Sequence, residues 1–109
     1  MENRIDLKLL EVKSESRPAL VPYLTVGYPS IKLSAEIALK TLVSGADMLE
    51  LGIPFSDPIA DGPTIQKTGF KALENGVSLS VCMDVLTKVR EENNDSPIIF
   101  MGYFNPFLQ

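Results

Sequence analysis

The 109 residues include no histidine, and Cys82 is the single cysteine. Without histidine, this chain can hold no Ser–His–Asp triad, no Cys–His nucleophile pair and no imidazole-ligated metal. One cysteine closes no internal disulfide, which fits a reducing, cytoplasmic compartment. Its neighbours Val81, Met83 and Val85 make it a core thiol rather than a nucleophile. No run reaches the ~18 apolar residues of a membrane span. The opening MENRIDLKLLEVK lacks the apolar centre and small-residue cleavage site of a secretory signal. There is neither a G-x-x-x-x-G-K nor a G-x-G-x-x-G cradle for a nucleotide. A net charge of −4 argues against nucleic acid or an anionic membrane as partner.

What is present alternates between two periods. Ile5, Leu9 and Val12 recur at helical spacing and predict a short leading helix over 4–13. ALVPYLTVG (19–27) reads as a strand blemished by Pro22. Ser30 caps a helix whose stripe is Ala35, Ala38, Leu39, Leu42 and Val43, closed by Gly45. DMLEL (47–51) is a second strand, and Pro63 suits the first turn of a helix that ends at Gly76. Another helix begins near Ser78, with Leu79, Cys82, Met83, Leu86 and Val89 on one face. PIIFMGY (97–103) is the third strand. Short apolar strands separated by helices predict an α/β fold with a covered parallel sheet. A doubly wound sheet and a (β/α)8 barrel both remain open on this pattern. A whole barrel takes roughly 250 residues, so residues 1–109 are expected to form one incomplete domain with no second.

One stretch breaks the ordinary pattern: LELGIPFSDPIADGPTIQ, residues 49–66. Side chains alternate along a strand, so Leu49 and Leu51 face the helices while Glu50 shares the opposite face with Met48 and Gly52. Glu50 then stands near the carboxyl end of its strand, where active sites of barrels and open α/β sheets lie. A carboxylate sheltered there is suited to give and take a proton. Tyr23 and Thr25 stand beside the equivalent end of the first strand, and Met101 and Tyr103 beside the third. These residues predict a mainly apolar, partly aromatic pocket around one acid. Pro54, Pro58 and Pro63 stiffen the following loop, which can hold Asp61 over the pocket mouth while Asp57 faces outward. Plainer readings exist for each acid. Glu50 can be paired or solvated, Asp61 can cap the helix that begins at Gly-Pro, and Asp57 before Pro58 can be turn chemistry. A hard-cation site built from Glu50, Asp57 and Asp61 is disfavoured by proline stiffness, so no metal is expected.

The same stretch closely resembles the signature of the tryptophan synthase α subunit family. PYLTVGYPS is similar to that family's first strand and loop, and GYFNP to its third. The resemblance covers nearly the whole chain. It implies the N-terminal part of a (β/α)8 TIM barrel, the β-α-β-α-β unit behind a short leading helix. It also implies a lyase of tryptophan biosynthesis that cleaves indole-3-glycerol phosphate to indole and glyceraldehyde 3-phosphate. The α subunit of that family needs no cofactor. Pyridoxal phosphate belongs to the β subunit, with which it forms an α2β2 heterotetramer. By motif, Glu50 matches the family's catalytic glutamate and Asp61 the aspartate that binds the indole N–H. Tyr23 matches a pocket aromatic and Met101 an apolar wall residue, while the loop around Pro54 and Asp57 resembles the part that meets the β subunit.

The family's phosphate loops lie later in its barrel, beyond Gln109, so these residues hold an acid–base pair without a phosphate site. The chain by itself is therefore expected to be inactive. Two rival readings are a truncated module that docks on a β subunit without chemistry, and a different phosphosugar barrel enzyme of similar layout.

Overall fold

Three short strands lie side by side, each turning apolar side chains (Leu24, Leu49 and Leu51, Ile98 and Phe100) to the core under the helices. In a computed structural model, which describes residues 3–58 and 60–103, β1 (Tyr23–Thr25), β2 (Leu49–Gly52) and β3 (Ile98–Met101) form one parallel sheet in the order β1-β2-β3. Residues 104–106 of the GYFNP stretch lie outside the described residues. Parallel neighbours require crossovers, and helices supply them. The elements are α1 (Arg4–Ser14), α2 (Ile31–Val43), α3 (Pro63–Glu74) and α4 (Leu79–Glu92). No described helix is long and apolar enough to cross a membrane.

Local chemistry starts the helices where the sequence predicts. The Ser30 side chain accepts from the Leu33 N–H, and Ser78 does the same for Val81. Pro63 occupies the first turn of α3, where no N–H is needed. Between β1 and α2 the chain turns at Gly27, whose φ of 91° favours glycine; a Cβ there would strike Val77.

The core lies between the sheet and the α2–α4 pair. Leu49 and Leu51 from β2 meet Ala35, Ala38 and Leu42 of α2 and Cys82, Val85 and Val89 of α4. Burial pushes the Cys82 thiol up to about 11, so it is inert as well as hidden. The sequence reading of α4 needs a correction. Met83 is 47% exposed and Val85 is buried in its place. Cys82, Val85 and Val89 already complete a 3-4 stripe, and Met83 falls on its rim. The first strand is also shorter than the predicted 19–27. Around Pro22, the Leu20 carbonyl accepts from Asp47 and Met48 and the Pro22 carbonyl from Glu50, so only Tyr23–Thr25 keep ladder geometry.

Helix α3 does not repeat the role of α2 and α4. It lies against the carboxyl end of β1, where the Thr68 and Thr25 hydroxyls bond at 2.8 Å. At its other end the Asn75 amide donates to the carbonyls of Gly27 and Pro29 at 3.0 and 2.8 Å. A helix fixed this way sets the frame for the loop that leads into it.

Candidate active site

Register places the acid. Tyr23, Glu50 and Ile99 are Cα partners across the three strands, and Thr25, Gly52 and Met101 form the next layer toward the carboxyl end. Glu50 is half-buried between two fully packed leucines, on the face that the helices leave open. The glycine above it is required by contact. A Cβ on Gly52 would run into the hydroxyl and ring of Tyr23, which lies across that position. The tyrosine ring therefore uses the volume that any larger residue at 52 would fill.

A cavity of about 310 Å³ opens at this end of the sheet, lined by Tyr23, Ile53, Ala60, Asp61, Met101 and Tyr103 together with Gly102. Glu50 lies one layer deeper and is not part of the lining. Thr25 and Pro54 border a narrow crevice beside it, together with Pro58, Asp61 and Gln66. The Thr25 hydroxyl is engaged by Thr68. Tyr103 lies beyond the end of β3, stacks on Phe55 with ring centroids 5.1 Å apart, and accepts the Ala60 N–H at 2.7 Å through its hydroxyl. Asp57 is exposed and meets the Ser56 hydroxyl at 3.5 Å.

Asp61 is not a helix cap. The N-cap of α3 is Gly62, without a side-chain cap bond. Among the described residues, neither the Asp61 carboxylate nor that of Glu50 takes a hydrogen bond or ion pair. Both charges reach Tyr23. Burial chiefly raises the pKa of that phenol, and Asp61 and then Glu50 add to the rise. A neutral hydroxyl thus stands on the cavity wall beside Thr25. Among the described residues, no three acidic or cysteine side chains converge as a metal cage.

Two functional features escaped the sequence reading. Gln66 ties the acidic loop to itself, donating to the Pro58 and Asp61 carbonyls at 3.0 and 2.9 Å. Nothing in the motif marks it, because its partners are backbone atoms. Asp47, at the opposite end of β2, is 4% exposed and takes Arg17 in a two-pronged grip at 2.8 and 2.9 Å, plus the Leu20 N–H at 2.8 Å. Those bonds, Arg17 first, hold its carboxyl down at about 2, and the guanidinium pKa is raised in return. A charged residue heading an apolar strand was the available signal.

Parallel strands joined by crossover helices place the chain in the β/α class, whose sites lie at the carboxyl end of the strands, where the cavity opens. Comparison narrows the class. A family model described as tryptophan synthase alpha chain matches residues 9–109. The tryptophan synthase alpha chain of Chloroflexus aggregans is 45% identical over 107 residues, covering 98% of this chain and 40% of its own. That of Clostridium acetobutylicum is 45% identical over 104 residues, 95% of this chain and 39% of its own. The crystal structure of tryptophan synthase subunit alpha from Legionella pneumophila superposes with a TM-score of 0.97 at 39% identity, over 100% of this chain and 42% of that one. The chain belongs to the tryptophan synthase alpha chain family and corresponds to its N-terminal portion. It spans about two-fifths of the length of these relatives. The sheet is therefore part of a barrel, not of a doubly wound layer.

Proposed function

We propose that these residues supply the acid–base half of a carbon–carbon lyase site, which in the full-length subunit cleaves indole-3-glycerol phosphate to indole and glyceraldehyde 3-phosphate. The observation that carries this is the Asp61 carboxylate at the cavity, with Tyr23 on its wall and Glu50 one layer deeper in the sheet, neither carboxylate taking a hydrogen bond or ion pair among the described residues.

Breaking the bond between the ring and the glycerol chain requires a proton at indole C3, which leaves the ring a cationic indolenine. A base must then take the proton of the adjacent glycerol hydroxyl as the C–C bond breaks, its electrons returning to the ring and the hydroxyl carbon becoming the aldehyde. Glu50 suits this proton traffic. Asp61, at the mouth, faces the ring N–H and stabilises the positive charge that develops there, a contribution realised chiefly in the transition state. Tyr23 and Met101 form the apolar walls for the ring. Tyr103 holds the loop from the far side. The α subunit uses no cofactor in this scheme. The exposed Asp57 and the neighbouring Pro54 are suited to meet a β subunit that carries pyridoxal phosphate, within an α2β2 assembly. The 109 residues hold no glycine-rich phosphate cradle, so by themselves they are expected to release no indole.

Glu50→Gln tests the assignment in the full-length subunit. General acid–base work contributes on the order of 10²- to 10⁴-fold. Indole formation is expected to fall by that range while substrate binding, measured by titration, persists. An active Gln variant would sink the assignment.

A further inference from the structure

We infer that Gln66 is a positioning residue for Asp61, acting through both hydrogens of its side-chain amide; this rests on the lyase reading of the site. The Gln66 Nε2 group donates to the carbonyls of Pro58 and Asp61, at 3.0 and 2.9 Å. The Asp61 N–H itself returns to the Pro58 carbonyl at 3.2 Å. The turn 58–61 is thus closed once by its own backbone and again by one amide bridging its two ends. Both acceptors are carbonyl oxygens, so the group between them must carry two hydrogens. A carboxylate of the same size would aim lone pairs at two oxygens, and a thioether would offer nothing.

The bracket is tied to the rest of the molecule from two sides. Gln66 stands in the first turns of α3, which is bonded to β1 through Thr68 and to the β1–α2 loop through Asn75. From the other side, the Tyr103 hydroxyl takes the Ala60 N–H. The backbone of residues 60 and 61 is therefore held from the sheet by two independent routes. Among the described residues, the Asp61 carboxylate itself takes no hydrogen bond or ion pair. A backbone fastened at residues 58, 60 and 61 holds that group in a single place at little cost when substrate binds.

The test is a double-mutant cycle in the full-length subunit, read by indole formation from indole-3-glycerol phosphate. Gln66→Met is expected to lower kcat by about tenfold to a hundredfold, the usual effect of a misplaced group, with KM changed far less. Gln66→Glu should be at least as impaired. In an Asp61→Asn background, Gln66→Met should lower kcat no further, because the group it positions is gone. An equal loss in both backgrounds would assign Gln66 to general folding and overturn the inference. Full activity of Gln66→Met beside an impaired Asp61→Asn overturns the inference and leaves the lyase reading standing. Full activity of Asp61→Asn overturns both. Should Gln66→Met not fold, Gln66→Asn, too short to reach both carbonyls, enters the same cycle.

Discussion

Asp47 and Glu50 stand three residues apart around the start of one strand, and the molecule treats them in opposite ways. Asp47, at the amino end, is enclosed and takes three hydrogen bonds, two from Arg17 and one from the Leu20 N–H. Glu50, inside the strand, has no bonded partner on its carboxylate among the described residues. The difference extends to both ends of the sheet. At the amino end, Arg4 reaches the Asn94 carbonyl at 2.8 Å, and Arg90 donates to the Ser96 carbonyl. At the carboxyl end, the loop backbone is tied down, and among the described residues the Asp61 carboxylate takes no bond. A charge that is satisfied stabilises the fold and does no chemistry. A charge held in place with its lone pairs unspent is ready for a substrate.

Exchanging the two acids for their amides sharpens this contrast most. Asp47→Asn in the full-length subunit is expected to lower the denaturation midpoint while leaving kcat per folded molecule unchanged, since it strips a buried partner from Arg17. This mirrors the loss of turnover expected for Glu50→Gln. Loss of kcat with an unchanged midpoint in Asp47→Asn would break the comparison.

Gly52→Ala probes the carboxyl end without touching a charge. Its methyl displaces the Tyr23 ring, and overpacking of this kind costs about 1–3 kcal/mol. The expected outcome is weaker substrate binding with the proton-transfer step retained, seen as a KM effect larger than the kcat effect. Unchanged kinetics would remove Tyr23 from the site.

The smallest effect is the pH dependence of the amino end. The Asp47 carboxyl is at about 2 in the folded chain against an ordinary 3.8, so it is depressed. Its stabilising contribution is complete above the ordinary value and disappears as pH falls through the folded one. The gap in midpoint between wild type and Asp47→Asn should therefore hold above about pH 4 and close toward pH 2. A gap independent of pH would deny the ion pair its role.

Local patterns carried the readable part of this fold. Ser30, Ser78 and Pro63 announce helix starts by chemistry that spans three or four residues, and Leu49 and Leu51 announce their face by alternation. The matching face then carried Glu50 to the side of the sheet away from the helices, although the strand runs on to Gly52 and leaves Glu50 one layer below its carboxyl end. What the pattern could not carry were bonds between distant residues. The Thr25 hydroxyl looks available in sequence, yet Thr68 engages it from 43 positions away. Asp61 before Gly-Pro looks like a cap, yet Gly62 takes that place and frees the carboxylate. Met83 and Val85 exchange roles because a helical stripe drifts, and only packing against α2 decides its rim. Gln66 and Asp47 act on backbone groups and on a remote arginine, and neither partner is marked by spacing.

The anchoring of α3 has a consequence for the order in which the molecule can be built. Its contacts to β1 and the loop after it, Thr25, Gly27 and Pro29, all precede it in the chain. During amino-to-carboxyl synthesis, every residue that bonds α3 to β1 and its loop and closes the Gln66 bracket has already been made when Asn75 is added. Only the Tyr103 clasp must wait for the third strand. The acidic loop can thus take its shape on a nascent two-stranded template, and the last strand arrives to lock a geometry that already exists.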